Sequence, residues 1–204
     1  MYNFKLTEEI ARWAFEVVCS SQHNWYISFT NPTAGPWKTI KGRNTNGEEG
    51  EVYRFELEEN RPDIVLVNDE LQLILIIEAK DSLNKLIVGD QVEKSVRVVH
   101  DLSNVLQGLH ENEFWRPYAG YPVILGLLWG ALNPTTAEER NTVFDSYQRE
   151  ASNYQSFNHN LIMGIETRRV GNDLTCSVCG KYYEQRHTLS LDEIAQSFNL
   201  PLLE

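Results

Sequence analysis

The chain has 204 residues, 42% of them hydrophobic, which suffices for one substantial core and its appendages rather than several large domains. Its 18 Lys and Arg against 29 Asp and Glu give a net charge of -11, which counts against a protein that grips nucleic acid by bulk positive charge. No apolar run reaches bilayer length, residues 1–9 lack the pattern of a signal peptide, and three cysteines make no disulfide framework. A cytoplasmic protein that does not enter a membrane is therefore expected.

From the N-terminus, Leu6, Ile10, Trp13, Ala14 and Val17 recur at helical spacing behind a capping Thr7, which predicts a helix over 6–20. A short strand is expected at 24–29. Residues 30–50 are rich in Asn, Gly, Pro and Thr without periodicity and predict a long surface loop. Its Lys38, Lys41 and Arg43, with Asn44 and Asn46, suit contact with a phosphate backbone or base edges; a solvated, mobile loop is the equal alternative. Lys94 with Arg97, and Arg168 with Arg169, add local positive charge to an acidic chain.

Three strands follow at 51–57, 61–67 and 72–80, the last apolar enough to be buried on both faces, with 68–70 supplying the turn between the second and third. Val88, Val92, Val96, Val99, Leu102, Val105, Leu106 and Leu109 predict a long helix ending near Gly108 or His110. A continuous apolar strand is expected at 121–129. Helix, three strands in a meander, crossover helix and strand make an αβββαβ order, which packs as a mixed central sheet flanked by helices: the fold class is α/β. Beyond it are expected a helix over 136–154, a strand over 161–168, and a capping box at Ser190 and Glu193 that opens a helix to Phe198.

Among the aromatics, Trp13 and Trp129 lie on core faces, whereas Trp37 beside Lys38 and Trp115 beside Arg116 are candidates for base stacking, weighed against plain packing. His100 and His110 read as solvated or locally satisfied.

The chemistry concentrates at two strand ends. Pro62 and Asp63 open the second strand, and Glu78, Ala79 and Lys80 close the third. Alternation puts Glu78 and Lys80 on one face. A hairpin closed through 69–72 pairs Asn68 with Leu73, and five residues further along each strand Asp63 meets Glu78. Two neighbouring carboxylates resist joint ionisation unless a cation lies between them. Oxygen ligands favour Mg²⁺, with Mn²⁺ as a substitute, and such an ion polarises a phosphodiester and activates water. Lys80 beside it would orient or help deprotonate that water and offset charge in the transition state. The alternative is a hairpin with surface charges at its ends.

These residues resemble the PD-(D/E)XK nuclease superfamily, to which most type II restriction endonucleases belong. The resemblance spans roughly 6–130 in order of elements, with motif identity confined to Pro62, Asp63, Glu78 and Lys80. It implies a restriction-endonuclease-like catalytic core over 1–130, completed by an extension over 131–204. It further implies that Asp63 and Glu78 bind the metal, that the Ala79 carbonyl adds a ligand, and that Lys80 serves the nucleophilic water. A further acid is expected from Glu16, ahead of Glu51, and Gln91 matches a glutamine that several members carry on the helix after the lysine.

The function so implied is Mg²⁺-dependent hydrolysis of phosphodiester bonds in double-stranded DNA, first as a type II restriction endonuclease acting as a homodimer or heterodimer, because palindromic cutting needs two active sites. A repair, recombination or transposon-associated nuclease of the same superfamily is the second reading, and a non-catalytic acidic adaptor the third. Separately, Cys176 and Cys179 have the spacing of a zinc knuckle that His187 or His159 would help complete; a plain cysteine hairpin over 174–187 with two thiols is the alternative.

Overall fold

The computed structural model describes residues 25–30, 39–56, 60–70, 72–154, 162–170, 173–180 and 188–190. The helix expected over 6–20, with Trp13 and Glu16, lies outside them, as do Trp37, Lys38, His159, His187 and the segment after Ser190.

The chain forms β1 (Trp25–Thr30), β2 (Thr39–Arg43), β3 (Glu49–Arg54), β4 (Ile64–Asn68) and β5 (Leu73–Lys80). A 3-10 turn (Leu83–Ile87) and α1 (Gln91–Gly108) lead to β6 (Val123–Ala131), and α2 (Ala137–Ala151) leads to β7 (Ile162–Val170), β8 (Asp173–Gly180) and β9 (Thr188–Ser190). Seven strands make one mixed sheet in the order β1-β4-β5-β6-β7-β8-β9. β4 runs antiparallel to β1 and β5; β5, β6 and β7 are parallel; β8 and β9 are antiparallel again. The protein is therefore a mixed α/β fold.

Parallel neighbours need crossovers, and α1 and α2 supply them. Every residue of β4 and β6 is buried, as strands covered on both faces must be. α1 turns Val96, Val99, Leu102 and Leu106 into the core, while Val88, which the heptad-like spacing would include, is 65% exposed. The reason is local. Gly89 adopts φ 64°, so the backbone breaks and the helix starts afresh at Gln91. No helix among the described residues is long and apolar enough to cross a membrane.

Two expectations are corrected. Residues 30–50 are not wholly loop: β2 and β3 pair antiparallel, Arg43 opposite Glu49, as a separate two-stranded sheet. The Asn and Gly residues that suggested a loop build its turn. Asn44 Oδ1 accepts from the Asn46 and Glu48 amides, and Gly47 takes φ 81°. A Cβ on Gly42 would stand 2.1 Å from the Phe114 carbonyl oxygen, so glycine is what lets this hairpin pack so closely. Consequently the strand expected at 51–57 does not open the meander; β1 does, pairing with β4. An alternating segment announces a strand but not its partner.

Trp115 is the second correction, because it is fully buried with its ring edge-on to Tyr118 at 5.1 Å and is not available for stacking on bases. Trp129 is buried as expected. His100 lies 4.6 Å from the Tyr154 ring and 3.1 Å from Asn104, and His110 is exposed.

Candidate active site

The β4–β5 hairpin pairs Asn68 with Leu73 and continues to Ile64 opposite Ile77. One step further, the Asp63 amide donates to the Ile77 carbonyl at 2.9 Å, so Asp63 reaches the level of Glu78. Asp63 is 8% exposed, and its Oδ2 accepts from the Ala79 amide at 2.7 Å. That bond ties the carboxylate to the residue between Glu78 and Lys80.

Lys80 Nζ pairs with Glu78 Oε1 and also donates to the Ala79 carbonyl at 3.0 Å. Gln91, the first residue of α1, donates from Nε2 to the same Glu78 oxygen at 2.8 Å. The Glu78 and Lys80 side chains keep 12% and 21% of their surface exposed, so the cluster is mostly enclosed yet reachable. Asp63, Glu78, Ala79, Lys80 and Gln91 therefore converge as the sequence predicts. Their ionised groups, two carboxylates and one ammonium, sum to one negative charge.

Behind Gln91 lie two residues the sequence reading missed. Gln91 Nε2 also donates to Ser95 Oγ at 2.8 Å, and the Tyr147 hydroxyl of α2 stands 3.4 Å from that oxygen while donating to the Leu86 carbonyl at 2.9 Å. Burial, reinforced by the charge of Glu78, pushes the Tyr147 hydroxyl well above its ordinary range, so it stays protonated and can donate. Ser95 stands four residues after Gln91, a spacing legible on a helix; Tyr147 had no such signal.

The other predicted contacts sit elsewhere. Arg43 Nη2 pairs with Glu49 at 3.0 Å and its guanidinium lies 4.0 Å over the Tyr26 ring. Burial raises the pKa of Asp69, and the nearby charge of Arg43 opposes that rise. Asp69 belongs to the turn of the β4–β5 hairpin, so Arg43 is near the opposite end of these strands from Asp63. The carbonyl of Lys41 accepts from Ser28 Oγ. Glu51 pairs with Arg54 at 2.7 Å on the two-stranded sheet. Lys94 and Arg97 pair along α1 with Asp90 and Glu93. Cys176 and Cys179 lie within one continuous strand, opposite Thr167 and Gly164, so the backbone between them does not make the tight turn of a knuckle.

A second charged cluster forms where the middle of β7 meets the loop before α2. Glu166, 1% exposed, accepts at Oε2 from the Thr135 amide at 3.0 Å and from the Thr135 hydroxyl. Arg168 Nε stands 3.0 Å from Oε1 in an ion pair not aligned as a hydrogen bond. Arg140 of α2 donates to the Thr135 carbonyl. A cleft of about 250 Å³ opens at the carboxyl ends of β5 and β6, lined by Asp81, Ser82, Asn84, Gly130, Asn133 and Thr135 among others.

Among the described residues, no three or more His, Cys, Asp or Glu side chains gather as a metal-holding group. The donors at the β4–β5 corner are two carboxylates and one backbone carbonyl, all hard oxygens. That set fits Mg²⁺ or Mn²⁺, which commonly retain waters and take substrate oxygens beside one or two protein carboxylates. No known family model, curated protein or solved structure matches this chain.

Proposed function

We propose that this protein is a Mg²⁺-dependent endonuclease that hydrolyses phosphodiester bonds in duplex DNA, acting in the manner of a type II restriction endonuclease with paired active sites. One observation carries the reading: Asp63 is locked onto the Ala79 amide while Lys80 bridges Glu78 and the Ala79 carbonyl. Acid, acid, carbonyl and ammonium thus share one strand end. The succession β1, β4, β5, α1, β6 supports it too, since it supplies the βββαβ part of the core that the motif implies.

Asp63, Glu78 and the Ala79 carbonyl would hold the cation. When bound, it supplies positive charge against the phosphate and lowers the pKa of a water. The chain's own residues do the rest. Asp63 is held in a fixed rotamer by the Ala79 amide, and Gln91 restrains Glu78. Lys80 is held between two oxygens, where its amine would orient the attacking water and offset charge on a phosphate oxygen. The side chains of Asp63, Glu78 and Lys80 sum to one negative charge, so a bound cation would strengthen the hold on a phosphate, and productive DNA binding should depend on metal.

The test is cleavage of plasmid DNA with Mg²⁺. Asp63→Asn and Lys80→Ala should each lower the rate about 10²–10³-fold, the scale of losing one preorganised electrostatic group, with circular dichroism unaltered. Cleavage that both variants leave intact refutes the assignment.

A further inference from the structure

Glu78 is held by more than its neighbour Lys80, and the chain of groups behind it has a direction. Ser95 Oγ donates its only proton to the Gln91 main-chain carbonyl at 2.8 Å. It can then only accept from the Gln91 side chain, which it does at 2.8 Å. The side-chain amide must therefore present its NH₂ group rather than its carbonyl, and the second hydrogen of that group falls on Glu78 Oε1. Tyr147, fully buried and anchored to the Leu86 carbonyl, closes the far side of Ser95.

We infer that Ser95 and Tyr147 are positioning residues for the cation site: Ser95 selects the orientation of the Gln91 amide, Tyr147 backs Ser95, and the amide fixes the rotamer of Glu78. This rests on the metal-dependent reading for its functional consequence but not for its geometry. A Gln91 amide turned the other way would face the carboxylate with its own oxygen, and the two acceptors would repel. Groups one step removed from a metal ligand commonly alter affinity or activity about 10- to 100-fold. Ser95 is buried and packs tightly, so a single truncation confounds positioning with packing. Ser95→Thr and Ser95→Val share one shape and differ only in the hydroxyl, which separates the two effects.

The experiment measures Mn²⁺ affinity by calorimetry, kcat and KM on duplex DNA, and the side-chain amide protons of Gln91 by NMR. Ser95→Thr should keep the affinity of the unmodified chain to within a few-fold. Ser95→Val should weaken Mn²⁺ about 10-fold, lower kcat with KM unchanged, and broaden the Gln91 amide signals; Tyr147→Phe should do the same more weakly. Equal Mn²⁺ affinity and unchanged Gln91 signals in Ser95→Val overturn the inference. If the unmodified chain binds no Mn²⁺, the metal-dependent reading falls, and the Gln91 signals alone decide whether Ser95 orients the amide.

Discussion

Two corners of one sheet gather buried charge, and they use it differently. At the Asp63–Glu78 corner one carboxylate takes a backbone amide and the other an ammonium, and the side chains of Glu78 and Lys80 remain partly open to solvent. At the Glu166 corner one carboxylate is met by a backbone amide, a hydroxyl and a guanidinium, and almost none of it is exposed. The second arrangement is closed to solvent: Glu166 is met by Arg168, and Thr135 links β7 to the start of α2. The first sums to one negative charge over Asp63, Glu78 and Lys80, at an edge that solvent reaches. A carboxylate shut away from solvent among its partners holds a fold together, whereas a carboxylate pair at an accessible edge is available for chemistry.

The largest expected effects come from swapping the insults. Glu78→Gln should reduce Mg²⁺-dependent cleavage about 10²–10³-fold while leaving the urea midpoint nearly in place. Glu166→Leu should do the reverse. It deprives the half-buried Thr135 amide of its acceptor and Arg168 of its ion pair with Glu166, at about 1–3 kcal/mol of stability. That loss is measured as an earlier urea midpoint at constant m, with cleavage by the folded protein unaltered. If Glu166→Leu silences cleavage while the protein is still folded, the distinction between the corners is wrong and the cleft between them belongs to the site.

Why the first corner was legible and the second was not follows from sequence distance. The β4–β5 hairpin is local: a four-residue turn and strict alternation fix Asn68 opposite Leu73, and from there Asp63 must arrive at Glu78. Gln91 follows on the next helix. The Glu166 cluster instead draws on Thr135, Arg140 and Arg168, from a loop, a helix and a strand whose meeting depends on how α2 crosses between β6 and β7. No spacing rule encodes that. The same holds for Tyr147, which reaches Ser95 from 52 residues away. Partner choice failed in the sheet for a related reason. The alternation of 51–57 marked a strand correctly, yet β3 joined β2 and left the position beside β4 to β1. Arg43 goes with that hairpin to the opposite end of β4 and β5 from Asp63, a placement that its own segment's sequence does not encode.

The smallest expected effect tests how far the structural corner extends. Thr136 caps α2: its Oγ1 accepts from the Glu139 amide at 3.2 Å, and Glu139 Oε2 accepts from the Thr136 amide at 2.7 Å. Thr136→Ala removes one half of this reciprocal cap and should cost about 1 kcal/mol, less than Glu166→Leu because the cap faces solvent. The bonds that the Thr136 amide and, at 2.8 Å, its hydroxyl donate to the Glu139 carboxylate hold that carboxyl below its ordinary value. A depressed folded pKa means that the stabilisation is present above the unfolded value and fades as pH falls through the folded one. The gap between the urea midpoints of the unmodified chain and Thr136→Ala should therefore narrow from neutral pH to below the carboxylate range, without closing, because the Thr136 hydroxyl still accepts from the Glu139 amide. Cleavage should not change. A loss of cleavage at constant stability would mean that the loop before α2, which lines the cleft through Asn133 and Thr135, touches the substrate itself.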